Sequence, residues 1–136
     1  MKLADVKVKY PGCTTFTFGD NMKLCDELIS LVRSEKKTAT CEALREFESG
    51  MEAMPSAGRI DIALNWDGTP ALAIRTLSIA IEKFSEVGEL FALAEGENDN
   101  LEGWRLDHQD YFERNGGFDP DMRLVCERFE LVEDFG

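Results

Sequence analysis

Asp67-Gly68 stands between two β-prone runs, and this pair limits the fold of the 136-residue chain more than any other feature. Before it, Ile60, Ile62 and Leu64 alternate with polar or small residues; after it, Ala71 to Ile81 forms a second β-prone run. An Asp-Gly pair tolerates the positive backbone dihedrals that tight hairpins need. The two runs are therefore expected to pair antiparallel, which argues against regular βαβ alternation and for a mixed or antiparallel sheet.

Around this hairpin the pattern changes. Thr14-Thr15-Phe16-Thr17-Phe18 reads as a short strand closed by Gly19. Asp20 or Asn21 can cap a helix in which Cys25, Leu28, Ile29 and Val32 recur at helical spacing, through about Ser34. Thr38-Ala39-Thr40 is short and β-branched, so it reads as an extended exit. A shorter helix is expected over Glu42–Ser49, stopped by Gly50. After the hairpin, Ser85 can cap a helix with Val87, Leu90, Phe91 and Ala94 on its apolar face. Another helix carries Leu101, Trp104, His108, Tyr111 and Phe112 on one face and ends at Gly116-Gly117. Met122–Val132 is apolar on both faces, as a central strand would be. The expected order is strand, helices, hairpin, helices, strand: one α+β domain over residues 1–136, with hydrophobic residues at 43% to fill its core.

Charge narrows the function. The net charge of −12 argues against a protein that coats duplex DNA or RNA by neutralising phosphates. Residues 1–45 are nevertheless slightly basic, so an anionic ligand is expected near the first third of the chain. No stretch approaches the roughly 18 consecutive apolar residues of a membrane span. Met1–Lys9 alternates charged with apolar residues and has no signal-peptide core. A soluble, cytoplasmic protein is expected.

The four cysteines, Cys13, Cys25, Cys41 and Cys126, have no C-x-x-C spacing, and His108 is the only histidine. Buried free thiols are expected, with no metal and no cofactor. Phosphate-loop, dinucleotide and nucleophile-elbow motifs are all absent.

Two segments carry residues suited to chemistry. Lys36-Lys37-Thr38-Ala39-Thr40 offers amines and hydroxyls at a helix end, and Glu95-Gly96-Glu97 offers carboxylates about sixty residues on. A lysine is a useful general base only when burial or a nearby cation lowers its pKa. The same lysines equally suit a solvated helix C-terminus, where they complement the macrodipole. Glu95 and Glu97 fall on different sides of the chain if that segment is extended. Trp104-Arg105 can act as a stacking platform and a hydrogen-bonding fork, or as a core residue beside a surface ion pair.

Taken together, Leu28 to Thr40, Glu95-Gly96-Glu97, Trp104 to His108 and Val125-Cys126-Glu127-Arg128-Phe129 resemble the ASCH domain family of the PUA-like superfamily, in its longer bacterial branch. The resemblance implies a curved mixed sheet or small β-barrel with helices at its rim, and a cleft for a nucleoside or single-stranded RNA. It implies catalytic roles for Lys37, Thr40 and Glu97, with Lys36, Thr38, Glu95, Trp104 and Arg105 toward the ligand. In that scheme Lys37 deprotonates Thr40 or a water, and Glu97 orients the lysine or shuttles a proton. The reaction would be amide hydrolysis on acylated cytidine, or RNA cleavage. The alternatives are a non-catalytic RNA-binding regulatory module and an acidic protein-interaction domain. Glu35 occupies a position that the family usually gives to glycine, where a positive φ would strain it. Replacing Lys37 by alanine is expected to abolish turnover with little change in stability.

Overall fold

The computed structural model describes residues 1–136. Five strands form one mixed, curled sheet in the order β1-β3-β4-β5-β2. They are β1 (Thr14–Phe16), β2 (Ala39–Ala43), β3 (Ile60–Leu64), β4 (Pro70–Lys83) and β5 (Arg123–Asp134). Only β1 and β3 run parallel; the other neighbours are antiparallel. The Asp67-Gly68 turn joins β3 to β4 as expected. Gly68 adopts φ 89°, its N–H donates to Asn65 O, and the Asp67 carboxylate accepts from the Thr69 hydroxyl. Register shifts at Ala73/Ile74 and Thr76/Ser78 bend the long β4–β5 ladder, giving the half-barrel curl.

Five helices pack at the rim: α1 (Leu3–Lys9), α2 (Met22–Arg33), α3 (Leu44–Glu48), α4 (Glu89–Ala94) and α5 (Leu101–Arg114). In α2 the Asn21 side chain caps Leu24 N–H, and Cys25, Leu28, Ile29 and Val32 are buried as their spacing predicts. They meet Ala63, Leu72, Ile74 and Phe129 of the sheet in one hydrophobic cluster. A second cluster, with Trp104 and Phe112 of α5 at its centre, packs Phe84 and Phe91 against Ala39, Ala43 and Leu124.

Some boundaries differ from the sequence expectation. α1 lies where only alternation was read, because Val6 is its one buried side chain and leaves no helical stripe to detect. β2 runs on through Glu42 to Ala43, so the following helix starts at Leu44. Ser85 caps no helix; it lies in a 3₁₀ turn, Phe84–Glu86, and α4 begins after Gly88. Leu90 then points outward, 82% exposed, while Phe91 and Ala92 are buried. No helix is long and apolar enough to cross a membrane.

Candidate functional site

The end of α2 places the site. Glu35 adopts φ 62°, the only non-glycine residue at positive φ. Its N–H donates to Val32 O, and Lys36 N–H and Lys37 N–H both donate to Leu31 O. This is the double hydrogen-bond pattern of a left-handed helix stop, made here by glutamate where glycine is usual. The chain is then pinned on both sides. Thr38 N–H donates to Ala94 O, and Phe129 N–H donates to Thr38 O. The turn sends Lys37 inward, where it is 1% exposed.

Glu95 and Glu97 meet that ammonium from one side, because Gly96 at φ 76° reverses the chain between them. Lys37 Nζ donates to Glu95 Oε1 at 3.2 Å and to Glu97 Oε2 at 3.0 Å. On its far side Glu95 Oε2 accepts from Trp104 Nε1 at 2.6 Å, and His108 Nε2 lies 3.4 Å away. The His108 ring stacks on Trp104 with centroids 4.2 Å apart. Its Nδ1 faces Trp104 O at 2.8 Å. Both ring nitrogens therefore face acceptors, which favours the doubly protonated imidazolium. The network then holds two cations and two anions and is neutral overall, as a buried charge cluster requires.

The ionisation of each group follows from this packing. Burial alone would push the Glu95 carboxyl up, but Lys37, His108 and the Trp104 N–H hold it at about 2. Burial opposes the Lys37 ammonium, yet Glu95 and Glu97 raise its pKa above the ordinary lysine value. His108 is shifted up in the same way by Glu95. Lys37 thus rests as an ammonium, and the neighbouring groups are carboxylates, not the cation that base catalysis would need.

The network opens onto a cleft of about 620 Å³. Lys37, Thr40, Glu95 and Glu97 all line it. The other four expected ligand contacts lie outside the lining. Lys36 and Thr38 are exposed, and the Thr38 hydroxyl points at Ala94 O. Arg105 is exposed and reaches Ser85 O. Trp104 is fully buried, so its ring supports His108 from beneath and offers no stacking platform. Eight acidic side chains line the cleft against three lysines and arginines. Cys41, Glu95 and His108 bring potential metal-ligating atoms within 4.8 Å of one another. However, Glu95 already binds Lys37, Trp104 and His108, and burial keeps the Cys41 thiol protonated. A cation there would have to displace Lys37.

Sequence reasoning did not single out Glu42 or Glu127. Glu127 lines the cleft at 7% exposure, and burial raises its carboxyl to about 7. Glu42, two residues beyond Thr40 on the same strand, also lines it and is raised by burial to about 7. No local signal marked Glu127, because Arg123, Arg128 and Glu130 place other charges along the same strand.

The ASCH domain model matches residues 14–133. The chain belongs to the ASCH domain family. Among solved structures, this ASCH domain is similar to protein EF3133 from Enterococcus faecalis V583, at 34% identity and TM-score 0.83, over 95% of this chain and 84% of that one. It is similar to the ASCH domain from Lactobacillus crispatus JV V101, at 29% identity and TM-score 0.81, over 93% and 84% of the two chains. The Y47F mutant of ZmASCH from Zymomonas mobilis shares the fold at 11% identity and TM-score 0.52, over 91% of this chain and 73% of that one. No curated protein sequence matches.

Proposed function

We propose that this ASCH domain binds a small, uncharged nucleoside-type ligand and hydrolyses an acyl amide on it, acetylated cytidine being the concrete case. The observation that carries this reading is the buried Lys37–Glu95–Glu97 network in a half-open cleft that Thr40 also lines. The acidic lining favours a nucleoside over a strand of RNA, whose phosphates it would repel.

In this reading Lys37 is a fixed cation that stabilises negative charge developing on the amide oxygen. Glu97 is the partly exposed carboxylate beside it. It takes the proton from the Thr40 hydroxyl as that oxygen attacks the carbonyl carbon, then returns it to the departing amine nitrogen. The C–N bond breaks and cytidine leaves; water then cleaves the acyl-threonine to acetate and restores Thr40.

The test is hydrolysis of acetylated cytidine by wild type, Thr40→Val and Glu97→Gln. Cytidine release should fall about 100-fold or more in each variant. The melting temperature should stay near that of wild type in Thr40→Val, whereas Glu97→Gln removes one carboxylate from the buried Lys37 ammonium and should lower it. Equal release by all three proteins would refute the assignment. Absence of release by wild type, together with a thermal shift on adding cytidine, would support a binding module without chemistry.

A further inference from the structure

On the floor of the cleft, β2 and β5 lie antiparallel with Thr40 directly opposite Glu127 and Glu42 opposite Val125. Side chains two apart on a strand share a face, so Thr40 has Glu42 on its own strand and Glu127 across the ladder. Glu127 is only 7% exposed, and the one side chain placed to hydrogen-bond its carboxyl group, Thr76, does not reach it with good geometry. The neighbouring Thr76 hydroxyl is also buried and unpartnered. A buried carboxyl without a partner is costly, and such groups in native proteins call for an explanation. Nearby Asp61 does not supply a partner, because its own oxygens are engaged by Thr14 and Arg59.

We propose that Glu127 and Glu42 form a base-reading subsite, in which the carboxyl groups flanking Thr40 grip a heterocycle presenting an N–H donor beside an unprotonated ring nitrogen. The inference rests on the nucleoside reading of the cleft and assigns its floor. A neutral carboxyl offers one O–H donor and one carbonyl acceptor side by side, which complements that edge. Burial and the charge of Asp61 favour the neutral form of Glu127. Arg59 holds Ala53 O and Met54 O, and so fixes the Met51–Pro55 wall beside the subsite. Cytosine and adenine carry the required edge; uracil offers an N–H beside a carbonyl oxygen, which a neutral carboxyl also pairs, so the edge that fails is one with no N–H, as in N3-methyluridine. Discrimination by such paired hydrogen bonds can be large, since the wrong edge leaves buried groups unpaired.

Isothermal titration of cytidine, adenosine and N3-methyluridine into wild type, Glu127→Gln and Glu127→Ala tests this. Wild type should bind cytidine or adenosine at least about tenfold more tightly than N3-methyluridine, whose edge has no N–H. Whichever of the two is preferred identifies a pyrimidine or a purine site. Glu127→Gln keeps a donor and an acceptor and should keep the preference; Glu127→Ala should abolish it, with folding followed by thermal melt. No binding of any nucleoside, no preference over N3-methyluridine, or a preference that survives Glu127→Ala would overturn the subsite. Hydrolysis of acetylated cytidine separates the two claims. Glu127-dependent preference without hydrolysis supports the subsite and removes the enzyme reading. Hydrolysis without preference overturns the subsite and leaves the enzyme reading standing.

Discussion

Gly96 packs so closely against Lys36 that a methyl group on its α-carbon would sit 2.4 Å from the Lys36 carbonyl oxygen. The same hypothetical atom would lie 2.7 Å from the carbonyl carbon and 3.0 Å from Lys37 N. These are backbone atoms of the turn that sends Lys37 inward, so they cannot move aside cheaply. Gly96 also holds φ 76°, which disfavours a side chain independently. Gly96→Ala should therefore lower stability by about 2–4 kcal/mol in chemical denaturation. It should also separate Lys37 from Glu95 and Glu97. A loss below about 1 kcal/mol would mean that the turn is not clamped as described.

That close approach also shows what was legible in the chain. The α2 stripe, the hairpin and the central character of β5 follow from local periodicity, and the structure contains all three. The meeting of Lys37 with Glu95 and Glu97 does not follow from periodicity, because it depends on one glycine at positive φ docking against a turn about sixty residues away. Read as an extended segment, Glu95 and Glu97 diverge; only the Gly96 turn brings them together. Glu127 was missed because strand patterning marks its face but cannot show that the face closes over a cleft.

Lys37 and Glu95 should be mutually dependent for stability. Both are about 1% exposed, so removing either leaves the other's charge without its main partner in a low-dielectric interior. This corrects the expectation that Lys37→Ala would leave stability nearly unchanged. Lys37→Met alone should cost about 3–5 kcal/mol. Lys37→Met combined with Glu95→Gln should cost less than the sum of the two single changes, by at least about 1 kcal/mol in a double-mutant cycle. Strict additivity would contradict the ion pair. Lost activity in Lys37→Met is for the same reason weak evidence of catalysis, and Thr40→Val is the cleaner probe.

Glu35→Gly should stabilise the protein. Glu35 is exposed, and its φ of 62° carries a steric penalty that glycine avoids. Glycine gives part of that gain back through a more flexible unfolded chain. The net effect should be about 0.5–1 kcal/mol, measured by urea denaturation. The Lys37 network should be unaffected, because Lys37 contacts Glu95 and Glu97 instead of Glu35. A destabilised Glu35→Gly variant would show that the glutamate side chain makes a contribution that the turn geometry does not explain.

Stability should peak on the acidic side of neutrality, and Glu127 should shape the alkaline limb. Glu95 is held at about 2, below its ordinary 4.5, so its contribution is complete above 4.5 and is lost as pH falls toward 2. His108 and Lys37 are shifted up, so their contributions are complete below their unfolded values and are lost as pH rises through the folded ones. Glu42 and Glu127 are raised from 4.5 to about 7, so stability also declines as pH climbs through that interval and they are forced to ionise. These opposing limbs place the maximum at about pH 4.5. Glu127→Gln removes one buried ionisation and should flatten the alkaline limb. It should raise stability at pH 8 by on the order of 1–3 kcal/mol and change little at pH 4, where the wild-type carboxyl is already neutral. Thermal melts across pH 3–9 on both proteins measure this. Parallel curves with no difference growing between pH 5 and 8 would show that Glu127 ionises freely and is not held in the floor of the cleft. A difference that grows across that interval and levels off above it would place the buried carboxyl beside Thr40 as a group the fold keeps at a cost to its own stability, as functional positions commonly are.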